Sequence, residues 1–343
     1  MSGGAGTRLW PVSTEEEPKQ FHAFASQLSL LQDTIERLSG EGFLDPLIIC
    51  NERHEGIVAS QFSALGRAPS GLILEPFGRN TAAVAVVAAL WAQRHAQGSL
   101  ILLAPADHVV GRPDLFKSIV HEATSLAEEH IVTFGISPSG PETGYGYIQS
   151  GRTLSASIST VERFVEKPDR PTAESFLAEG GYSWNAGIFL FSPARLLAEA
   201  RQLCPEIVAA SQEALELGEC RHGALHLAPS AFSSCPSLSI DVAIMERTGI
   251  GAVARCDIGW ADIGSWSELW RHGPLDQDGN NRRGDTVSIE SGGSLLWSSG
   301  PSISVIGVSD LMVIATPDHL LVLPKSRAQD VKQIVQARRS GEP

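Results

Sequence analysis

Three glycines, Gly3, Gly4 and Gly6, open the chain, followed by Thr7 and Arg8 and, past a short acidic stretch, by Pro18-Lys19-Gln20-Phe21. Glycines at this spacing leave backbone N–H groups unshielded and accept positive φ cheaply, so main chain can wrap a bulky anion. Thr7 adds a hydroxyl, and Arg8 and Lys19 add positive charge. The chemistry this allows is the holding of a triphosphate. A lone Gly-Gly-x-Gly could equally be an ordinary turn. The full run G-G-x-G-T-R-L-x-P with P-K-Q-F is more specific. It lacks the G-K-[ST] ending of a P-loop, and its Arg-Leu-x-Pro tail departs from the dinucleotide fingerprint.

Other chemistry-bearing groups recur along the chain. Glu75-Pro-Phe-Gly-Arg79-Asn80-Thr81 joins an apolar run to an alanine-rich one, where Asn80 and Thr81 could simply cap a helix. Asp107 follows the apolar run 99–104 and could cap a turn or bind a hard cation. Gly144-Tyr145-Gly146 could close over hydroxyls or only enter a hairpin. Glu166 and Lys167 end an apparent strand, where an exposed ion pair is the plain alternative, although successive strand side chains point to opposite faces. Asn185 and Gly187 offer an amide and a bare backbone ahead of a β-forming run. Asp241 could be an N-cap or a functional acid. Asp262 lies in Trp260-Ala-Asp-Ile-Gly-Ser-Trp266, a distinctive setting for an otherwise uninformative Asp-x-Gly.

These motifs, in this order and over nearly the whole chain, resemble the sugar nucleotidyltransferases. Trp10, Gln20-Phe21 and E-P-x-G-R-N-T-A look like the branch that transfers guanylyl to mannose 1-phosphate. The resemblance implies GTP + α-D-mannose 1-phosphate → GDP-mannose + pyrophosphate, by in-line attack without a covalent intermediate. It assigns the triphosphate to Gly3, Gly4, Gly6 and Thr7, and guanine and ribose to Glu75, Arg79, Asn80 and Thr81. It assigns the sugar to Gly144, Tyr145, Gly146, Glu166, Asn185 and Gly187, and the sugar phosphate to Lys167. Arg8 and Lys19 would stabilise the leaving pyrophosphate, and Asp107 and Asp262 would hold Mg²⁺. Ala83 stands where the family usually has proline, which should relax the helix start more than the chemistry. A homodimer is implied, with the C-terminal appendage in subunit contact. Some family members continue into a phosphomannose isomerase domain, which is not expected within these residues. Two alternatives stay open: another nucleoside triphosphate or hexose 1-phosphate, and an inactive nucleotide-sugar-binding regulatory subunit.

The elements that must position these groups are readable in outline. Helical spacing of Leu28, Leu31, Ile35 and Leu38 predicts a helix over 27–38. Apolar runs at 46–50, 71–74 and 99–104 predict buried strands, and an alanine-rich helix should cover 81–95. Strands alternating with helices imply an α/β fold, a mostly parallel Rossmann-like sheet with ligands at the strands' carboxyl ends. Past the polar linker 276–281 the pattern becomes short β segments at 286–289, 302–308, 312–315 and 320–323. A helix at 328–338 should turn Val331, Ile334 and Val335 to one face. The expected division is a nucleotidyltransferase domain over 1–275 and a small β-rich domain over 276–343, left-handed β-helix-like by resemblance. An α/β phosphate loop normally follows a buried strand, yet Met1 directly precedes Ser2. A start assigned too late or a truncated chain is therefore expected, with upstream codons restoring soluble, active protein.

Composition narrows the remaining options. With 343 residues, 43% hydrophobic and 19% charged, the chain can bury a large core. A net charge of −13 disfavours nucleic acid as a partner without disfavouring phosphate substrates. No apolar run reaches the roughly 18 residues a membrane span needs, and the N-terminus lacks a signal-peptide pattern. Five scattered cysteines without C-x-x-C predict reduced thiols and a cytoplasmic protein.

Overall fold

The structure, a computed structural model, describes residues 7–340. Gly3, Gly4 and Gly6 of the predicted triphosphate loop lie outside the described residues. The chain divides into two compact units. The first takes in 37–105 and 110–260, and the second 7–36, 106–109 and 261–340.

The first unit is built on two sheets. One runs Leu47–Asn51, Gly71–Glu75, Ala224–His226, Glu219–Arg221, parallel across its first three strands. The other, six-stranded, runs Ile101–Leu103, Tyr182–Phe191, Ile131–Ile136, Gly251–Cys256, Ile158–Val165, Tyr147–Thr153. Ile131–Ile136 is buried along its whole length and pairs in parallel with Gly251–Cys256, as a mostly apolar central strand should. Tyr182–Phe191 inserts antiparallel between Ile101–Leu103 and Ile131–Ile136, a mixed arrangement that local patterning does not predict. The register shifts between Thr133 and Gly135, which pair with Phe189 and Asn185. The long strand therefore bulges at Ala186-Gly187-Ile188, where Gly187 takes φ 67°, a conformation glycine adopts without a Cβ penalty.

The helix Asn80–His95 is buried on nearly every face from Ala82 to Leu90. Its small side chains allow neighbouring elements to approach closely, and it shares a core with Phe189, Phe191, Leu196, Ile207 and Phe232. The helix-rich stretch after the long strand resolves into Pro193–Leu203 and Pro205–Glu216. Each begins with proline, whose missing N–H costs nothing at a helix start.

The second unit is organised by the C-terminal strands. Asn281–Arg283, Leu295–Ser298 and Leu311–Ala315 stack in parallel, as do Thr286–Ile289 and Ile303–Ile306. Coil upon coil of parallel strands is a β-helix-like arrangement, closed by antiparallel Leu320–Pro324. Two of these strands, 281–283 and 295–298, are not foreseen by the sequence pattern. Of the predicted face on the final helix, Val331 is buried whereas Ile334 is 38% exposed.

The core of this unit draws on three distant stretches of sequence: Leu9, Phe24 and Leu30; Ile263, Trp266 and Leu269; and Leu295, Trp297, Met312 and Ile314. Phe24, Trp266 and Trp297 form a ring cluster with centroids 5.4–6.1 Å apart. The Trp266 indole N–H donates to the Trp10 carbonyl at 3.0 Å. In this way the segment carrying Arg8 is fastened to the segment carrying Asp262.

No helix among the described residues is long and apolar enough to cross a membrane. All five cysteines are free, and Cys220 alone is exposed.

Candidate active site

In the second unit the expected charged residues converge. The Lys19 ammonium lies 3.1 Å from Asp107 Oδ2 and donates to the Asp262 backbone carbonyl at 2.5 Å. A 3₁₀ turn, Lys19–Phe21, presents this lysine, with Gln20 and Phe21 buried behind it. Burial alone would raise the Asp107 carboxyl, but Lys19 and then His108 more than offset that and hold it below the usual carboxylate range. His108 Nε2 is 3.7 Å from Asp107 Oδ1, so it supports the acid. Asp107 and Asp262 supply hard oxygens from separate loops, the donor chemistry magnesium prefers.

Beyond Asp262 the backbone is strained. Ile263 takes φ 44°, the left-handed region that β-branched residues avoid. Gly264 follows, and its N–H donates to Glu268 Oε2 at 2.5 Å. A Cβ placed on Gly264 would sit 3.1 Å from Glu268 Oε2, 3.2 Å from Asp262 Oδ2 and 3.4 Å from Arg8 Nη2. Three charged groups therefore crowd one glycine, and no larger residue fits without displacing one of them. Burial, and then the neighbouring Asp262 carboxylate, push the Glu268 carboxyl up to about 7. The motif draws attention to Asp262 and not to Glu268. Glu268 lies in the first turn of the helix Trp266–His272, which Ser265 caps. Trp266 serves as core, and Trp260 packs edge-on against Tyr145 at 5.2 Å in the first unit.

In the first unit the predicted sugar residues gather at the strand ends. Gly146 has no room for a Cβ, which would lie 2.7 Å from Glu166 Oε2 and 3.3 Å from the Phe164 ring. The Gly146 carbonyl accepts from Asn185 N at 2.8 Å. Tyr145 rests edge-on against Trp184 at 5.1 Å. Gly144 has nothing within 4 Å of where a Cβ would stand. Lys167 Nζ reaches Glu166 Oε1 at 2.6 Å, and Lys167 has φ 47° although it is neither glycine nor asparagine.

The Asn185 side chain is fully engaged by protein. Its amide donates to Asp241 Oδ1 at 2.7 Å, and its oxygen accepts from Thr133 Oγ1 at 2.8 Å and from Gly187 N at 3.1 Å. Asp241 opens a wide helical turn, Asp241–Met245, with its own side chain buried. Burial first, then Glu166, push its carboxyl up to about 6. Asp241 is thus a buried acid bonded to Asn185 and not a helix cap. Nothing local in the sequence distinguishes the two.

The Glu75–Thr81 loop is stapled to the segment that leads to Asp241. Arg79 donates to the carbonyls of Phe232 at 3.3 Å and Ser233 at 2.6 Å. Thr81 Oγ1 accepts from Ile240 N at 2.9 Å. Asn80 has φ 65°, a conformation asparagine tolerates, and its Oδ1 accepts from Thr81 N at 2.8 Å. Glu75, 8% exposed, is pushed up to about 7 by burial. Among the described residues nothing hydrogen-bonds to its Oε1.

A nucleotidyl transferase family model matches residues 1–279, and a MannoseP isomerase/GMP-like β-helix domain model matches 284–337. A mannose-1-phosphate guanylyltransferase of Klebsiella pneumoniae is 43% identical over 340 residues, which is 98% of this chain and 72% of the relative. The alginate biosynthesis protein AlgA of Pseudomonas aeruginosa is 40% identical over 338 residues, 98% of this chain and 70% of the relative. A crystal structure described as a mannose-1-phosphate geranyltransferase from Thermus thermophilus superimposes with TM-score 0.87 at 30% identity, covering 99% of this chain and 98% of that one. Both the nucleotidyltransferase fold and the β-helix appendage expected from the sequence are met.

Proposed function

The chain belongs to the nucleotidyl transferase family, and on that footing we propose that it transfers GMP from GTP to α-D-mannose 1-phosphate, releasing pyrophosphate. One observation carries the reading: Lys19 joins Asp107 and the Asp262 carbonyl, with Arg8 beside the Asp262 carboxylate. The family match and the similarity to relatives named for this activity support it.

Phosphoryl chemistry of this kind asks a protein for position and charge more than for covalent work. A phosphate oxygen of the sugar phosphate attacks the α-phosphorus in line, and the α–β bridging oxygen leaves with pyrophosphate. Arg8 and Lys19 stabilise the charge that builds on the leaving group. Asp107 and Asp262 are the residues that would hold Mg²⁺. When bound, the ion neutralises phosphate charge. Lys167 binds the sugar phosphate, and Glu166, with Gly144, Tyr145, Gly146, Asn185 and Gly187, takes the sugar. Asn185 contributes by orienting Asp241, since its own amide is engaged.

Glu75, Arg79, Asn80 and Thr81 form the guanosine loop, and Thr7, with Gly3, Gly4 and Gly6 before it, the triphosphate loop. A buried carboxylate with an open oxygen suits the guanine edge, whose ring N–H and amino group are both donors. That feature of Glu75 favours GTP over ATP, CTP or UTP. Residues 1–275 form the transferase part in this reading, and 276–343 the appendage of a homodimer. Val287, Ile289 and Ile306 stand exposed on the appendage, as a subunit contact requires. Five free thiols fit the cytoplasm.

The test is pyrophosphate release with Mg²⁺ across four nucleoside triphosphates and several hexose 1-phosphates. Signal confined to GTP with mannose 1-phosphate is expected. Signal in another combination would keep the mechanism and change the substrate. GDP-mannose binding without turnover would point instead to a regulatory subunit.

A further inference from the structure

The Lys167 backbone poses a physical problem. Its φ of 47° is costly for a residue with a Cβ, and it also precedes Pro168, whose ring restricts the residue before it. Such a conformation persists only where surrounding structure over-determines it. The bond that anchors it comes from a distant residue: Glu166 N–H donates to Glu246 Oε1 at 2.8 Å. A carboxylate accepting a main-chain N–H makes one of the stronger hydrogen bonds available.

Glu246 is well placed for this. It follows the wide turn Asp241–Met245, whose Ala243, Ile244 and Met245 are buried. Past it, Arg247 donates to the Leu203 carbonyl at 2.6 Å, and Thr248 Oγ1 donates to Glu199 Oε1 at 2.6 Å. At the other end of the same turn Asp241 accepts from Asn185. One short segment therefore holds both halves of the proposed sugar-binding group, Asn185 by its start and the Glu166–Lys167 turn by its end.

From this we infer that Glu246 is a positioning residue for the sugar phosphate. Its carboxylate locks the turn that presents Glu166 to the hexose and Lys167 to the phosphate, without touching either. The inference rests on the reading of Glu166 and Lys167 given above. It goes beyond that reading in assigning the geometry of the turn to a residue 80 positions later.

The experiment compares Glu246→Ala and Glu246→Gln with the parent enzyme. Glutamine keeps an acceptor oxygen and lacks only the charge. In Glu246→Ala the KM for mannose 1-phosphate should rise by about tenfold, the size of one lost charge-assisted bond, with kcat and the KM for GTP within about twofold. Glu246→Gln should stay within about threefold of the parent, because the acceptor remains. Exchange of the Glu166 amide, followed by NMR, should quicken at least about tenfold in Glu246→Ala.

Unchanged mannose 1-phosphate KM together with unchanged Glu166 exchange would overturn the inference. So would a parallel rise of both KM values with a falling Tm, the mark of a merely structural residue. If the parent fails to turn over GTP with mannose 1-phosphate, the functional reading falls on its own. The exchange arm then decides the role of Glu246 alone: quickened exchange upholds the clamp, and unchanged exchange removes it.

Discussion

Two turns in this molecule solve the same backbone problem in different surroundings. In the first unit, Glu166 is followed by Lys167 at φ 47°, and the turn is held by a glutamate, Glu246, accepting a main-chain N–H. In the second, Asp262 is followed by Ile263 at φ 44°, and again a glutamate, Glu268, accepts a main-chain N–H, that of Gly264. The difference is water. The Lys167 side chain is 60% exposed, whereas Ile263 is buried and the Lys19 side chain that serves Asp262 is 12% exposed. A wet turn keeps its charges strong yet screened, which suits binding a substrate that must come and go. A drier turn magnifies the charges it buries, Lys19 among them, which suits stabilising charge as it develops, while Arg8 reaches the same group from an exposed position.

The comparison breaks first at the dry turn. Arg8→Ala or Asp262→Ala should lower kcat by about 10²–10³, the size of one lost preorganised electrostatic group. Steady-state kinetics with Mg²⁺ measures this. Activity within about threefold of the parent would put the dry turn no closer to the chemistry than the wet one.

The strain itself can be probed by glycine, with opposite signs at the two turns. Ile263→Gly relieves the left-handed φ but empties a buried site, and truncation of a buried isoleucine costs about 2–5 kcal/mol. With strain relief of about 1–2 kcal/mol, a net loss near 2 kcal/mol should remain. Lys167→Gly removes the same strain from an exposed side chain, and after the entropy of the freer unfolded chain it should gain about 0.5–1 kcal/mol. Urea unfolding of the two variants distinguishes them. Equal signs would mean that exposure does not separate the turns.

At the wet turn the expected effect is on binding. Lys167→Ala should raise the KM for mannose 1-phosphate by about 10–30-fold, the range of a charge-assisted bond to phosphate, and leave the KM for GTP near the parent value. A kcat loss as large as that of Arg8→Ala would move Lys167 to the chemical step.

Which of these features the sequence discloses depends on how far apart the interacting groups lie. Asp107, Glu166 and Asp262 are legible because each sits in a compact motif, Asp107 after an apolar run, Glu166 at the end of an apparent strand and Asp262 between two tryptophans. The helix at 80–95 and the strands at 47–51 and 71–75 are legible from apolar patterning. Glu246 and Glu268 are not, because each acts through an oxygen on a backbone N–H, and an exposed or half-buried glutamate in a helical stretch looks like solubility. The antiparallel insertion of Tyr182–Phe191 is hidden as well. A buried strand reads as apolar whichever way it runs. Strands 281–283 and 295–298 escape notice because polar Asn281-Arg-Arg283 gives no β alternation, and the paired apolar Leu295-Leu-Trp297 mimics a short buried segment of any kind.

The last expected effect concerns the buried acid behind the wet turn. Asp241 is forced up to about 6, by burial and then by Glu166, while its unfolded value is near 3.8. A folded value raised above the unfolded one means that the native state holds the proton longer. Stability should therefore fall as pH rises from about 4 to 6, and the full penalty is present above that window. Asp241→Asn keeps an oxygen to accept from Asn185 and carries no charge to bury. At pH 8 it should be more stable than the parent by about 1–2 kcal/mol, less than the shift alone would give because the surroundings relax. At pH 4, where the parent carboxyl is neutral when folded and about half neutral when unfolded, the difference should shrink toward zero. Urea midpoints at the two pH values test this. A gain independent of pH would mean that the asparagine acts through packing, and that the wet turn has no buried charge at its back to set against the dry one.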